Sequence, residues 1–446
     1  MLKENLSLHL DVKDTFKGMG KYFASIVLLK IVLAVYVFSK GALDSYLAIV
    51  LPMLFISMIL IIVTAMWKAD FVFTFIAIIL FDIGTTMQVM VYPSSTRYML
   101  LQFAALVLGG FVFCVIVVAQ NKISVKHQWK VCMTIIVLLY LFLLVFGANI
   151  NGTKAWINVA GTTFQVTEVI KVVTFCALAA IFASDYTDKK KMVYALSLIF
   201  VNGIFLALIK ELGTLVVLTL IFLIFVFMFI EPIKYFAITV ITMFTMVVGG
   251  VGSVFFLSRF NNEGVKDFVL VEIGAAIWGK LKNRILLLTA IDTLDPYGSA
   301  YQALTAQKAI RLGGLFGSNY QLSIPVEESD YVFVSLILNM GIILAILVVI
   351  LFLCLLLSGI RIYTNSEKKL EQCTAAGFIY AMFLQSLLTM LGSTNAFLLM
   401  GLPIAFLSAG GSNQMMLFTM LFYILYCGRT VKQYTERRGP VCRINK

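Results

Sequence analysis

The stretch YLAIVLPMLFISMILIIVTAMW, Tyr46 to Trp67, decides the class of fold. It holds no Asp, Glu, Lys, Arg or His, and as an α-helix rising 1.5 Å per residue it is long enough to cross the roughly 30 Å hydrocarbon core of a bilayer. Tyr22 to Ser39 and Met192 to Leu208 read as further crossings. Of the 446 residues 61% are hydrophobic and 13% charged, a surplus of apolar side chains that a soluble core cannot bury and that lipid must solvate. The apolar/polar alternation of a transmembrane barrel is missing. The expected fold is therefore an all-α, polytopic transmembrane helix bundle.

About twelve spans are expected, starting near Tyr22, Tyr46, Asp70, Tyr98, Trp129, Phe164, Met192, Leu212, Ile233, Tyr331, Cys373 and Gly401. An even number puts both termini on one side. Lysine and arginine choose that side, because positive residues stay on the cytoplasmic face. With a cytoplasmic N-terminus the inner segments hold Lys13, Lys17, Lys21, Lys122, Lys126, Lys130, Lys189, Lys190, Lys191 and the tail from Arg429 to Lys446, against Lys40, Arg97, Lys154 and Lys210 in the short outer loops. The net charge of +12 is then read as attraction to anionic inner-leaflet lipid, with no nucleic acid as partner. No small-residue cleavage site follows the first apolar segment, which reads as a retained helix.

The seven cysteines fall in helices or on the cytoplasmic side and imply no disulfide framework. His9 and His127, the two histidines, lie on inner segments, which excludes a histidine metal site or a Ser-His pair at the outer face. No Gly-rich phosphate loop occurs, so energy for any reaction comes from the substrate or from an ion gradient.

One long segment breaks the apolar pattern. Residues 259–330 carry mixed charge, including Lys266, Asp267, Glu272, Lys280, Arg284, Glu327, Glu328 and Asp330, and form an outer loop before the third-last span that is too long for a connector. Phe268 to Trp278 and Tyr301 to Ile310 are expected as amphipathic helices on the membrane surface. A shorter outer loop runs from Gly147 to Thr163. Function is sought in these two loops.

Within them Asn151-Gly152-Thr153-Lys154-Ala155-Trp156-Ile157 and Phe164-Gln165-Val166-Thr167-Glu168-Val169-Ile170-Lys171 resemble the NG-x-x-RWI and FQPSE-x-x-K signature of the SEDS (FtsW/RodA/SpoVE) family. Further blocks follow in that family's order. Glu211-Leu212-Gly213-Thr214 is similar to its PDLGT turn, Tyr301-Gln302 with Gly313-Gly314-Leu315-Phe316-Gly317 to its YQ...GGLFG loop, and Glu327-Glu328-Ser329-Asp330-Tyr331-Val332-Phe333 to E-x-x-TDFIF. Gly401-Leu402-Pro403-Ile404-Ala405-Phe406-Leu407-Ser408-Ala409-Gly410-Gly411-Ser412 resembles GIPLPFVSYGGS, and Met90-Val91-Tyr92-Pro93-Ser94-Ser95 the end of the family's first helix. The resemblance implies a ten-helix core over residues 68–430, preceded by a cytoplasmic segment and two extra helices in 1–67 and followed by a basic tail, 431–446.

What the family implies is a glycosyltransferase that polymerises lipid II, the lipid-linked precursor of peptidoglycan, at the outer face of the bacterial cytoplasmic membrane, with a class B penicillin-binding protein as partner. Displacing a polyprenyl pyrophosphate needs a base for the attacking hydroxyl and positive charge for the leaving group. Asp330 stands where the family's catalytic aspartate stands; read from the residues alone it is also a helix N-cap. A divalent cation, Mg or Mn, with Asp330 and Glu328 as ligands, is the one cofactor contemplated. Glu168 and Lys171, one helical turn apart with Gln165 before them, are expected at a substrate cavity, the alternative being a structural ion pair. Lys154 and Arg284 are placed for pyrophosphate or for lipid headgroups, and Ser412 for the cavity or for close helix packing. Lys30 and Asp82, deep in the first and third spans, pair to dock the added helices, or Lys30 snorkels.

The chain departs from the family pattern at Ala155, where an arginine is lost as a bidentate phosphate donor, at Val166-Thr167 for Pro-Ser, at Lys210-Glu211 for Pro-Asp and at Ser329 for Thr. A non-catalytic scaffold of wall synthesis and a lipid-precursor transporter are the alternatives from other classes.

Overall fold

The computed structural model describes residues 2–39, 43–91, 95–150, 152–159, 161–231, 233–259, 269–298, 300–320 and 322–437. Tyr92 to Ser94, Asn151, Lys266, Asp267 and the tail from Arg438 lie outside them, as does the side chain of Glu272.

Helices come in chain order as α1 (Leu2–Ser39), α2 (Leu43–Met66), α3 (Phe71–Val91), α4 (Ser95–Lys122) and α5 (Val125–Phe146). A small antiparallel sheet follows, β1 (Ala148–Ile150), β2 (Thr153–Val159) and β3 (Thr162–Gln165). Then come α6 (Val166–Ala183), α7 (Asp188–Leu208), α8 (Leu212–Phe229), α9 (Ile233–Arg259), α10 (Val269–Thr289) and α11 (Tyr301–Gly313). The last four are α12 (Val332–Met340), α13 (Ile342–Thr364), α14 (Lys369–Ser393) and α15 (Gly411–Arg437). Among the described residues eleven helices are long and apolar enough to span a membrane: α1 to α9, α13 and α14. The chain is a multi-pass membrane protein. Helix α15, with its polar first turn and basic last turns, is less apolar but buried along most of its length and packed along α4.

Polar content sorts the helices between lipid and interior. Helices α3, α6, α14 and α15 carry the buried Asp82, Gln88, Glu168, Lys171, Gln385, Asn413 and Gln414, and all four lie mostly buried at the centre. Helices α5 and α9 have few such groups and turn most of their surface outward. Lipid offers no hydrogen bonds, so helices with buried polar side chains are driven inward, where those side chains find partners.

Three expectations about elements are corrected. The 147–163 loop is a three-stranded meander, with Trp156 opposite Gln165 and Val159 opposite Thr162, held by the tight return at Gly161. The span expected from Tyr331 is broken at Gly341, which has φ 89°; a Cβ there would lie 2.2 Å from the Leu315 carbonyl oxygen, so the 313–317 glycine loop wedges between α12 and α13. The last helix starts at Gly411 and not Gly401, because residues 401–410 form an irregular strap whose backbone is claimed from outside. Thr389 Oγ1 donates to Leu402 O (2.8 Å), Gln385 Nε2 to Pro403 O (2.8 Å) and Gln88 Nε2 to Leu407 O (2.8 Å), while Ala405 N donates to Ser386 Oγ (3.0 Å). Irregular backbone survives at membrane depth when protein supplies these bonds.

The amphipathic outer-loop helices are present as α10 and α11. Lys30 and Asp82 form a buried ion pair at 2.5 Å that docks α1 on α3, and Tyr46 adds a hydrogen bond from its hydroxyl to the Lys30 carbonyl (2.9 Å).

Candidate active site

Asp330 closes the turn 325–330, which enters α12. The turn begins at Val326, a β-branched residue held at φ 56°, whose carbonyl accepts from both Ser329 N (3.2 Å) and Tyr331 N (3.3 Å). A β-branched side chain in the left-handed region costs of the order of 1–2 kcal/mol and persists only where surroundings enforce it. Here the surroundings are the strap. Gln88 Nε2 and Ala409 N donate to Glu328 O (2.9 and 2.8 Å), and Ser408 Oγ donates to Ser329 O (2.9 Å). Opposite, Phe406 of the strap also has positive φ, 65°. The two segments that meet around Asp330 are thus both strained and both tied down.

The N-cap of α12 is Tyr331, and no side-chain cap bond forms there, so Asp330 does not serve as the helix cap. Its carboxylate instead accepts a long hydrogen bond from Ser329 Oγ (3.4 Å) and lies by Gly401, where a Cβ would be 3.7 Å from Oδ2. Gly401 has φ 65°, so glycine both permits the strap's turn and leaves room over the carboxylate. Burial pushes the Asp330 carboxyl up to about 6, against the Ser329 hydrogen bond and the Arg284 guanidinium, with Glu328 adding to the rise. Arg284 comes from α10, is itself held below its ordinary value by burial, and lines a narrow cavity with Tyr331, Asn395 and Phe397. Asn395 Nδ2 donates to Leu287 O (3.1 Å) and anchors α10 to the end of α14. A base near neutrality therefore lies within electrostatic reach of a cation that lines this cavity.

A second polar group meets the strap at Pro403. Glu168 and Lys171 make an ion pair at 2.7 Å without hydrogen-bond alignment, both almost wholly buried. Lys171 Nζ donates to Gln385 Oε1 (2.7 Å), and Gln385 Nε2 reaches Asn413 Oδ1 (3.3 Å) as well as Pro403 O. Gln165 N donates to Ser412 Oγ (3.2 Å) and its side-chain amide to Glu211 Oε1 (3.3 Å), which also accepts from Thr167 (3.2 Å) and Thr214 (2.6 Å). Of the expected residues, Glu168 and Lys171 thus fall in one polar group with Gln385; Gln165 and Ser412 fall in another around Glu211; and Asp330 lies by the strap within electrostatic reach of Arg284.

Lys154 stands elsewhere. Its ammonium donates to Leu144 O (2.6 Å), at the carbonyl end of α5. Ala155 next to it on β2 is fully buried, and successive strand residues point to opposite faces, so Lys154 does not occupy the space of the missing arginine. Sequence reading missed Glu211, Gln385 and Asn413. Gln385, an amide inside an apolar run, was the available signal.

The sequence pattern of the cell cycle protein family FtsW/RodA/SpoVE matches residues 74–433. The chain belongs to this family. It is 26% identical over 350 residues to a probable peptidoglycan glycosyltransferase FtsW of Hydrogenovibrio crunogenus, covering 75% of this chain and 82% of that one. It is 24% identical over 321 residues to stage V sporulation protein E of Bacillus subtilis (68% and 80% covered). With peptidoglycan glycosyltransferase MrdB of Escherichia coli the identity is 23% over 308 residues (67% and 77% covered). Among solved structures, a chain of a peptidoglycan synthase complex superposes with TM-score 0.60 at 17% identity, over 82% of this FtsW/RodA/SpoVE member and 99% of that chain. The rod shape determining protein RodA of Thermus thermophilus superposes with TM-score 0.54 at 18% identity (81% and 97% covered). These establish the common fold; helices α1 and α2 precede the family match.

Proposed function

We propose that this FtsW/RodA/SpoVE member is a peptidoglycan glycosyltransferase that polymerises lipid II into glycan strands. The observation that carries the reading is Asp330, a carboxylate that burial makes basic, within electrostatic reach of the half-buried Arg284 cation. In the reaction Asp330 takes the proton of the attacking sugar hydroxyl as its oxygen bonds to the anomeric carbon of the donor. The bond from that carbon to the polyprenyl pyrophosphate breaks, the pyrophosphate leaves with the electron pair, and Arg284 compensates its charge. No nucleotide is consumed.

Lys171, paired with Glu168, supports a substrate cavity by bracing Gln385, which holds the strap at Pro403, while Gln165 and Ser412 tie the start of α6 to the start of α15. Lys154 takes part only by closing the end of α5. Among the described residues no three acidic, histidine or cysteine side chains cluster as a cation cage. Asp330 and Glu328 would give a Mg or Mn ion two carboxylates, and the ion would neutralise pyrophosphate with substrate oxygens and water completing its shell. The distribution of Lys and Arg supports a reading with the Asp330 end of the bundle at the outer face of the bacterial cytoplasmic membrane and both termini inside. A class B penicillin-binding protein fits as partner, in keeping with the likeness to a chain of a synthase complex. Residues 68–430 are the working core, with α1 and α2 an addition.

The test is direct. Purified full-length protein receives labelled lipid II, alone and with a class B penicillin-binding protein, and products are sized on a gel. Glycan strands are expected; their absence under every partner condition refutes the reading.

A further inference from the structure

A second cavity opens beside the 325–330 turn, with Glu327 in its wall. It encloses about 740 Å³, within the size range of small-molecule sites. Its walls come from the end of α1, the end of α3, the 318–323 loop and α12. Its described lining is polar, with Ser39, Asn319, Tyr320, Ser323 and Asn339, and among the described lining residues Glu327 is the one acidic side chain and there is no lysine or arginine. Such a surface hydrogen-bonds neutral polyhydroxylated groups and stacks on the apolar face of a sugar ring, while its one carboxylate repels phosphate.

The two cavities differ in the charge of their described walls. Arg284 lines the narrow one, next to Tyr331, and Glu327, three residues before Asp330, lines this one. The wall supplied by α1 is fixed in place. Lys30 is paired with Asp82, and the Tyr36 hydroxyl donates to the Asn339 carbonyl, joining α1 to α12 at the cavity's edge. Burying an ion pair gains little stability against its desolvation and is a device for setting one register of docking. Here that register brings Ser39 to the rim. Residues 1–73, α1 among them, lie outside the family match.

We propose that this cavity is a glycan subsite, in which sugar units of the strand beyond the reacting ones rest on the α1 wall while pyrophosphate stays on the Arg284 side. The proposal rests on the polymerase reading. Two exposed lining positions on different elements allow the cavity to be filled without disturbing a packed core: Ser323→Trp from the loop and Ser39→Trp from α1. Binding is read by saturation-transfer NMR on the full-length protein in nanodiscs, with a water-soluble tetramer of N-acetylglucosamine as probe. Wild type should give signal, and each variant that melts as wild type does should lose at least fivefold. With lipid II, both variants should yield strands at least fivefold shorter than wild type, while Leu51→Trp on the exposed face of α2 changes neither readout. Wild-type binding and strand length in both tryptophan variants, or no probe signal from wild type, overturns the subsite. Probe binding that the variants abolish, in a wild type that makes no strands, overturns the polymerase reading and upholds the sugar site.

Discussion

Exchanging Asp330 for Asn separates a working carboxylate from a structural one, because the two roles move stability in opposite directions. Burial raises the Asp330 carboxyl from 3.8 to about 6, so the ionised form is disfavoured in the folded protein. That rise corresponds to ~3 kcal/mol, which we take as about 2 kcal/mol because the carboxyl is partly open to water. The sign follows from the direction of the shift. With the folded value above the unfolded one, the penalty is absent below pH 3.8, grows between 3.8 and 6 and is complete above 6. Asp330→Asn, which cannot ionise, should therefore outlast wild type by about 2 kcal/mol at pH 7.5 and by roughly half of that at pH 5. Melting of the detergent-solubilised protein followed by intrinsic fluorescence reads this as a rise of a few degrees at pH 7.5 that shrinks on acidification. A capping or tethering aspartate would cost stability when lost. A variant that melts below wild type at pH 7.5, or whose advantage does not change with pH, refutes the reasoning.

Lys171→Met should lower stability by about 3–5 kcal/mol, since it strands Glu168 as an unpaired buried charge, and adding Glu168→Gln should restore much of the loss; equal melting temperatures for single and double variants would contradict this. The rate of strand synthesis should fall as pH drops through about 6, approaching tenfold per pH unit below it, as the Asp330 base becomes protonated; a flat profile from 7.5 to 5 by gel assay would tell against a carboxylate base. Gly341→Ala should destabilise by about 2 kcal/mol or more, from its left-handed backbone and the contact with the Leu315 carbonyl, and should lower activity by displacing α12 beneath Asp330; wild-type melting and rate would refute the wedge.

Much of the bundle was legible because a membrane helix announces itself locally. Tyr46 to Trp67 needs no partner to be read as a span, and the polar residues of α3, α6 and α14 stand out against apolar neighbours. What stayed hidden was decided by contacts distant in sequence. The apolar run after Tyr331 looks continuous, and only the 313–317 loop, pressing on Gly341, breaks it into α12 and α13. The strap at 401–410 is apolar enough to pass for a helix start, yet Gln88, Gln385 and Thr389 capture its backbone. The 148–165 sheet escaped because its strands are short and one is turned into the bundle at Ala155. Asp330 was found through its place at the border of polar loop and apolar helix and through the family motif. Glu211 was not found as a site residue, because a carboxylate at a loop end looks solvated until Gln165, Thr167 and Thr214 are seen to enclose it.

The most direct test of the central claim is the initial rate of lipid II polymerisation by the full-length protein, measured for wild type and Asp330→Asn in the same nanodiscs at pH 7.5. The account predicts strands from wild type and a loss of roughly 10²- to 10⁴-fold in the variant, the range expected when a general base is removed. Strand synthesis by Asp330→Asn within threefold of wild type would contradict it.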